Sequence, residues 1–332
     1  MKKIKVAING FGRIGRTFFR SAFNDKKIDI VAINDISSIE IIAHLLKYDS
    51  IHGVLEHSIN IEDQNLNING RVIPFYSLEN PELLPWENLD VDVVVESTGL
   101  FKNYRDASLH LKSGAKKVII SAPPMDDSIP TVVFGINDHI LTGSEKIISN
   151  ASCTTNCCAP LVKLIDDYFC IESGYITTVH SYTTDQSLHD SPHNDLRRAR
   201  AAATSIVPTT TGAAKAITKI FPHLNGKMGG CGIRVPVPAG SLTDMTYIVK
   251  KSTNTNQINN IFKNAAQNSM KDILSYNCDP IVSVDVIGSR YSCVFDSQLT
   301  SVIGKMVKVV GWYDNETGYS NRLIDLINRI FN

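Results

Sequence analysis

Two rhythms of apolar residues divide the chain near its middle. Up to about residue 150, short apolar runs alternate with segments of helical period: Ile4–Asn9 then Phe11–Phe23, and Ile28–Asn34 then Ile39–Lys47. Further apolar runs at Val91–Val95, Val118–Ser121, Val132–Phe134 and Ile147–Ile148 read as buried strands. This alternation predicts an α/β fold with a doubly wound, mainly parallel sheet. Ile59–Phe75 alternates apolar and polar residues instead, with Asn69–Gly70 as a turn, and predicts an antiparallel hairpin inserted in the same domain.

Beyond that point the pattern changes. Thr154–Phe169 reads as a helix, and Tyr175–Val179, Leu242–Val249, Ile281–Val286, Tyr291–Phe295 and Val307–Trp312 read as strands of an α+β domain with a largely antiparallel sheet. Ser181 to Ser205 has no period, and a loop of that length inside a compact domain usually carries function. At the end, Tyr319, Leu323, Leu326, Ile327 and Ile330 form one apolar helical face. The expected division is a first domain over 1–150, a second over 151–316, and a C-terminal helix over 317–332 that packs back on the first.

Composition narrows the function classes. Hydrophobic residues make up 43% of the chain, and 33 basic residues balance 33 acidic ones, for a net charge of zero. That balance argues against nucleic acid or an anionic membrane as the main partner. No run approaches the roughly 20 apolar residues that span a bilayer, and the opening Met1–Val6 lacks a signal-like apolar stretch. A cytoplasmic protein is expected. Seven irregularly spaced cysteines suit reduced thiols, and no paired-histidine spacing suggests a metal.

The first candidate chemistry is Gly10-Phe11-Gly12-Arg13-Ile14-Gly15, a GxGxxG between a predicted strand and a predicted helix. Asp35 follows about 20 residues past the last glycine, which is dinucleotide spacing. Gly10 permits a tight turn, Gly12 lets the backbone approach a pyrophosphate, and Gly15 lets helix and strand pack closely. Asp35 can accept from the ribose hydroxyls and would repel a 2′-phosphate, which favours NAD over NADP. The alternative is a glycine-rich turn without a ligand, and the strand before it, the helix after it and the spaced acid favour the dinucleotide reading.

The second is Ser149-Asn150-Ala151-Ser152-Cys153-Thr154-Thr155-Asn156-Cys157, where hydroxyl residues cluster at a predicted helix start. A cysteine there has its thiolate favoured by the helix N-terminus, and a thiolate attacks carbonyls. Cys157, Cys158 and Cys170 fall further along and read as small buried hydrophobes. His180, at the end of a predicted strand and the start of the long loop, is the candidate base. Its position alone also suits a structural histidine.

Seven blocks carry a resemblance to the glyceraldehyde-3-phosphate dehydrogenases. They are Asn9–Arg16, Ser149–Cys157, Thr178–Thr183, Arg197–Ala203, Pro208–Lys215, Arg234–Pro238 and Trp312–Tyr319, in the family's order. The resemblance implies a Rossmann domain plus a catalytic domain, NAD as cofactor, and a homotetramer whose long loop reaches a neighbouring subunit's cofactor. It implies Cys153 as nucleophile and His180 as acid/base. Arg13, Ile14 and Asp35 would hold the adenosine and pyrophosphate side of NAD, and Thr98, Ser121, Asn315 and Tyr319 would lie near the cofactor. Thr183 and Arg234 would hold the phosphate of glyceraldehyde 3-phosphate. Ser152, Thr154, Arg198, Thr211 and Gly212 would hold attacking inorganic phosphate. Of Arg197, Arg198 and Arg200, at least one is expected to be only a solvated basic residue. The chain departs from the family at Glu79, where a basic residue is usual beside the adenine. Erythrose-4-phosphate dehydrogenase is the nearest rival. An RNA- or protein-binding role and a semialdehyde dehydrogenase are the more distant ones.

Overall fold

The computed structural model describes residues 2–331. They form two compact units, one running to Ala151 and taking in the stretch from Ser320 onward, the other Ser152–Tyr319.

The first unit contains β1 (Ile4–Asn9), α1 (Arg13–Ala22), β2 (Ile28–Asn34), α2 (Ile39–Lys47), the short pair β3 (Tyr48–Asp49) and β4 (Gly53–Val54), then β5 (Ile59–Glu62), β6 (Asn65–Ile68), β7 (Arg71–Tyr76), β8 (Val93–Glu96), α3 (Tyr104–Ala107), α4 (Leu109–Lys112), β9 (Lys117–Ile120) and β10 (Ile147–Ser149). Its sheet runs β10-β9-β8-β1-β2-β7-β6-β5, parallel from β10 to β7. Every residue of β8 and β9 is buried, as a strand covered on both faces must be. Ala7, Ala32, Val91 and Val94 pack around the buried Trp86.

Two expectations need correction here. The segment 59–76 is not an inserted hairpin but a three-stranded meander. Asp63–Gln64 and Asn69–Gly70 all take positive φ, as two-residue hairpin turns require, and β7 then joins β2 in parallel through Ile33–Phe75 and Asn34–Tyr76. Val132–Phe134 forms no strand. Thr131 makes one isolated bridge to Ser149, and the side chain of Asn137 accepts from Val133 N–H at 2.7 Å, which folds the run into a turn.

The second unit contains α5 (Cys153–Phe169), β11 (Ile171–Ser181), β12 (Val207–Thr209), α6 (Ala213–Ile220), β13 (Met228–Val235), β14 (Ser241–Val249), α7 (Thr255–Gln267), β15 (Leu274–Asn277), β16 (Cys293–Asp296), β17 (Ser301–Ile303) and β18 (Met306–Tyr313); α8 (Thr317–Phe331) begins here. The sheet order is β12-β13-β11-β14-β18-β16-β15, with β17 on β18, and only β11–β13 and β15–β16 are parallel. Ile281–Val286 is not a strand: Asp285 accepts from Val282 N–H at 2.8 Å and Ser283–Val286 closes a 3-10 turn. Helix α5 is buried over most of its length and packs on β14 and β18, so the unit is built around the segment that starts with Cys153. No helix among the described residues is long and apolar enough to cross a membrane.

Candidate active site

In the first unit, the three glycines do three different jobs. Gly10 has φ +86°, and a Cβ there would lie 2.6 Å from the Thr98 nitrogen. At Gly15 a Cβ would collide with the Gly10 carbonyl, so strand and helix touch through bare backbone. At Gly12 nothing lies within 4 Å; the residue is exposed and caps α1 without a side-chain bond. The loop is thus closed behind and open in front, where the N-terminus of α1 offers a cradle for an anion. Arg13 and Ile14 open that helix, both partly exposed.

The walls of the cradle are held by carboxylates. Asp35 accepts from Phe11 N–H at 2.7 Å and from Ser37 N–H at 2.9 Å, so it ties the end of β2 to the glycine loop. Asp49 pairs with Arg13 at 2.7 Å. Burial pushes the Asp49 carboxyl up, but the backbone N–H groups of His52 and Ile51 and the charge of Arg13 outweigh it and hold the group at about 2. Below the loop, buried Glu96 accepts from Asn9 Nδ2 at 2.6 Å, from Thr98 N–H at 2.8 Å and from the Thr98 hydroxyl. His110 faces it at 3.1 Å. Trp86 Nε1–H can only donate, and it meets His110 Nδ1 at 3.0 Å, so the proton sits on Nε2 and points at Glu96. Ser121 extends β9, with its N–H donating to Glu96 O at 2.9 Å. Glu79 is exposed, next to Leu78, whose N–H and C=O are both clamped by the Asn34 amide.

In the second unit, Ser152 caps α5, its hydroxyl accepting from Thr155 N–H at 3.1 Å. Cys153 is the first helical residue, and its Sγ lies 3.6 Å from His180 Nε2. Ala151, just before the cap, has φ +58°, a conformation that strains an alanine at a functional turn. His180 Nδ1 is 2.7 Å from the Ser181 carbonyl; a proton there leaves the Nε2 lone pair turned to the thiol. Burial pushes the thiol up to about 11, against the Thr154 N–H and Arg234, which pull it down. Burial, then Arg234, push His180 down to about 4. Both shifts have burial as their largest cause and favour the uncharged form of each group.

Adjacent strands supply the next shell. β11 and β13 set His180 directly beside Arg234. Arg234 donates to Ser181 O at 3.0 Å and to the Thr183 hydroxyl at 3.1 Å. Arg198, from the long loop, donates to Thr209 Oγ1 at 2.9 Å, to Thr210 O at 3.3 Å and to Asp185 at 2.7 Å. Thr211 accepts from Ala213 N–H at 3.2 Å, and Gly212 starts α6 with open space where a Cβ would be. Thr154 Oγ1 is 2.9 Å from the buried Tyr313 hydroxyl. Asn315 Oδ1 accepts from Ser181 Oγ at 3.0 Å, and Tyr319 is buried in the first turn of α8. Arg197 and Arg200 are exposed, Arg200 against Asp190, as expected of solvated residues. Cys157 and Cys158 are wholly buried. Asp185 and Tyr313 are site residues that no motif in the sequence marks. A carboxylate two residues after Thr183, in a loop rich in arginine, was the available signal for the first.

Family models match both halves: the glyceraldehyde 3-phosphate dehydrogenase NAD binding domain over residues 4–104 and the C-terminal domain of the same family over 152–315. The chain is 54% identical over 331 residues to a glyceraldehyde-3-phosphate dehydrogenase of Mycobacterium avium, covering 98% of this chain and 97% of the relative. It is 52% identical over 334 residues to that of Mycobacterium leprae, covering 98% of each. It is 51% identical over 326 residues to glyceraldehyde-3-phosphate dehydrogenase 2 of Streptomyces avermitilis, covering 97% of each. The chain belongs to the glyceraldehyde-3-phosphate dehydrogenase family. It is an NAD-dependent oxidoreductase, with the family's Rossmann domain first and its α/β C-terminal domain second. The open face of Gly12 fits the dinucleotide's pyrophosphate, and the position of Asp35 fits its ribose.

Proposed function

We propose that the chain catalyses phosphorylating oxidation of glyceraldehyde 3-phosphate, with NAD and inorganic phosphate, to 1,3-bisphosphoglycerate and NADH. The observation that carries this reading is a half-buried thiol beside a buried imidazole, bordered by two arginines and several hydroxyls. One thiol accounts for aldehyde oxidation; two arginines account for two phosphate groups.

Cys153 Sγ attacks the aldehyde carbon, and His180 Nε2 takes the proton, giving a thiohemiacetal. Backbone N–H groups at the start of α5, that of Cys153 among them, stabilise the oxyanion. Bound NAD would supply the hydride acceptor that this oxidation needs, and Cys153 would keep the acyl group as a thioester. Arg234 and Thr183 hold the substrate's own phosphate. Arg198, Thr211, Gly212, Ser152 and Thr154 hold the inorganic phosphate that attacks the thioester. On the first unit, Gly10, Gly12, Arg13, Ile14, Gly15, Asp35, Thr98 and Ser121 would hold NAD. Asn315 and Tyr319 are assigned to the cofactor on the resemblance alone.

A homotetramer is part of the same reading. The side chains of Tyr175, Ile248, Met306 and Ile303 are exposed on cross-strand neighbours of β11, β14, β18 and β17, an apolar sheet face suited to a second copy. A cytoplasmic location agrees with seven free cysteines.

The deciding experiment is steady-state oxidation of glyceraldehyde 3-phosphate with and without phosphate. We expect sustained turnover only with phosphate or arsenate, and otherwise one burst of NADH per active site followed by slow hydrolysis. Fast phosphate-independent turnover, with erythrose 4-phosphate as the better substrate, would overturn the reading in favour of the nearest rival.

A further inference from the structure

Arg234 and Arg198 face the same small region, where burial first, and then the charge of Arg198, lower the Arg234 guanidinium from its usual value. An empty site therefore needs an anion of its own. Asp185 supplies it. One carboxylate oxygen accepts from the Thr183 hydroxyl and the other from Arg198 NH1 at 2.7 Å. Among the described residues no backbone amide holds this carboxylate. Burial pushes its carboxyl up, yet the Thr183 hydroxyl and the charges of Arg234 and Arg198 hold it below the usual range. The neighbouring acid is a contrast. Asp195 also lies near Arg198, at 3.7 Å, but it accepts from Arg197 N–H at 2.9 Å and the Thr209 hydroxyl at 2.7 Å, and so builds the loop.

We propose that Asp185 is a displaceable internal anion that occupies the phosphate-binding groups of the empty site and gives way when phosphate arrives. The inference rests on the assignment of Thr183 to the substrate's phosphate and of Arg198 to the attacking phosphate. Thr183 already spends its hydroxyl donor on Asp185, and Arg198 spends one N–H on it beside those it gives to Thr209 and Thr210. A phosphate can gain them only by breaking the Thr183–Asp185 bond and sharing Arg198, and the carboxylate then stands as a like charge beside it. Asp185 thus weakens anion binding and helps the doubly phosphorylated product leave.

The test uses the NAD-loaded enzyme and inorganic phosphate as the probe. Removing a like charge a few ångströms away should tighten phosphate binding about five- to tenfold. Asp185→Asn should lower the calorimetric Kd for phosphate, and the KM for phosphate, by that factor. Its melting temperature without phosphate should fall, and the rise on adding phosphate should exceed that of the parent, because the lost internal anion is replaced from solution. Asp185→Ser, which keeps an acceptor for Thr183 without the charge, should behave alike and covers a folding failure of the amide variant. A Kd that stays the same or rises in the soluble variants would mean that Asp185 merely pins Arg198, and would overturn the proposal. Arg198→Ala separates this from the parent assignment. If it leaves phosphate binding unchanged, the anion-site assignment falls and takes Asp185 with it. If it weakens phosphate binding while Asp185→Asn does nothing, only the internal-anion proposal fails.

Discussion

The two units reach function by opposite routes. In the first, the proposed cofactor site is built chiefly from the main chain of the glycine loop, and side chains such as Asp35 and Glu96 fix the path of that backbone. Gly10, Gly12 and Gly15 sit within six residues; a Cβ would collide with backbone at Gly10 and Gly15, while at Gly12 it would meet only open space. In the second, the groups are side chains drawn from α5, β11, β13 and the long loop, set side by side by strand register: His180 meets Arg234 because β11 and β13 run parallel. A main-chain site is therefore compact in sequence and tolerant of side-chain change outside its glycines and one acid. A side-chain site is dispersed and depends on single atoms.

The sharpest way to test that contrast is at the thiol. Cys153→Ser should lower turnover by at least about a thousandfold, since a hydroxyl lacks the thiolate's reactivity, while NAD titrates as before. Cys157→Ser, four residues on in the same helix and wholly buried, should cost far less activity and appear chiefly as lost stability. Equal losses of turnover at the two positions would show that packing had been mistaken for chemistry.

His180→Asn comes next. Positioned acid–base groups commonly contribute about 100-fold or more, and turnover should fall by that much. The same variant should slow alkylation of Cys153 at neutral pH, because the 3.6 Å contact gives the thiol's proton somewhere to go. Unchanged alkylation together with unchanged turnover would return His180 to the structural histidines. A drop in turnover alone would make it an acid–base group that does not activate the thiol.

How much of this was legible in the chain follows the same contrast. The glycine loop, Asp35 and the capped cysteine could be read because each is a local arrangement whose spacing states its geometry. β13 was missed because Gly229, Gly230 and Gly232 erase the alternation that marks a strand, and with it went the physical reason for Arg234 to lie beside His180. Val132–Phe134 and Ile281–Val286 were misread because apolar runs say "buried" before they say "strand", and Asn137 and Asp285 turned both into local turns. Asp185 was overlooked since its meaning lies in Thr183 and Arg198, which the fold alone brings to it.

A smaller effect is expected from the first unit's acid. Asp35→Gly should raise the KM for NAD and lower that for NADP by roughly tenfold in their ratio, because a carboxylate beside a 2′-phosphate is repulsive. Asp35 also holds the Phe11 amide, so part of the loss for NAD should come from a loosened loop. Asp35→Asn separates the two, as it keeps an acceptor and removes the charge. If both variants lose NAD equally and neither gains NADP, the residue's task is to shape the backbone, and the contrast between the units becomes sharper still.

The smallest effect should come from Asp49, which touches the cradle only through Arg13. Its folded carboxyl titrates at about 2, below the ordinary value of 3.8. A carboxylate depressed by folding stabilises the folded state above its unfolded pKa, and that stabilisation is lost as pH falls through the folded pKa. The window is therefore roughly pH 4 down to 2. The full shift would correspond to a little over 2 kcal/mol. Partial solvation of the pair with Arg13 reduces this to about 1–2 kcal/mol. Asp49→Asn should thus be less stable than the parent by that amount at pH 7, and the gap should close on acidification, as read from urea midpoints at successive pH values. NAD affinity should fall only two- to fivefold by titration, because Arg13 keeps its place at the head of α1 and the amides that make the cradle are untouched. A loss of NAD binding larger than that of Asp35→Gly would mean that the Arg13 side chain, and not the main chain, dominates the cofactor site, and the contrast between the two units would fail.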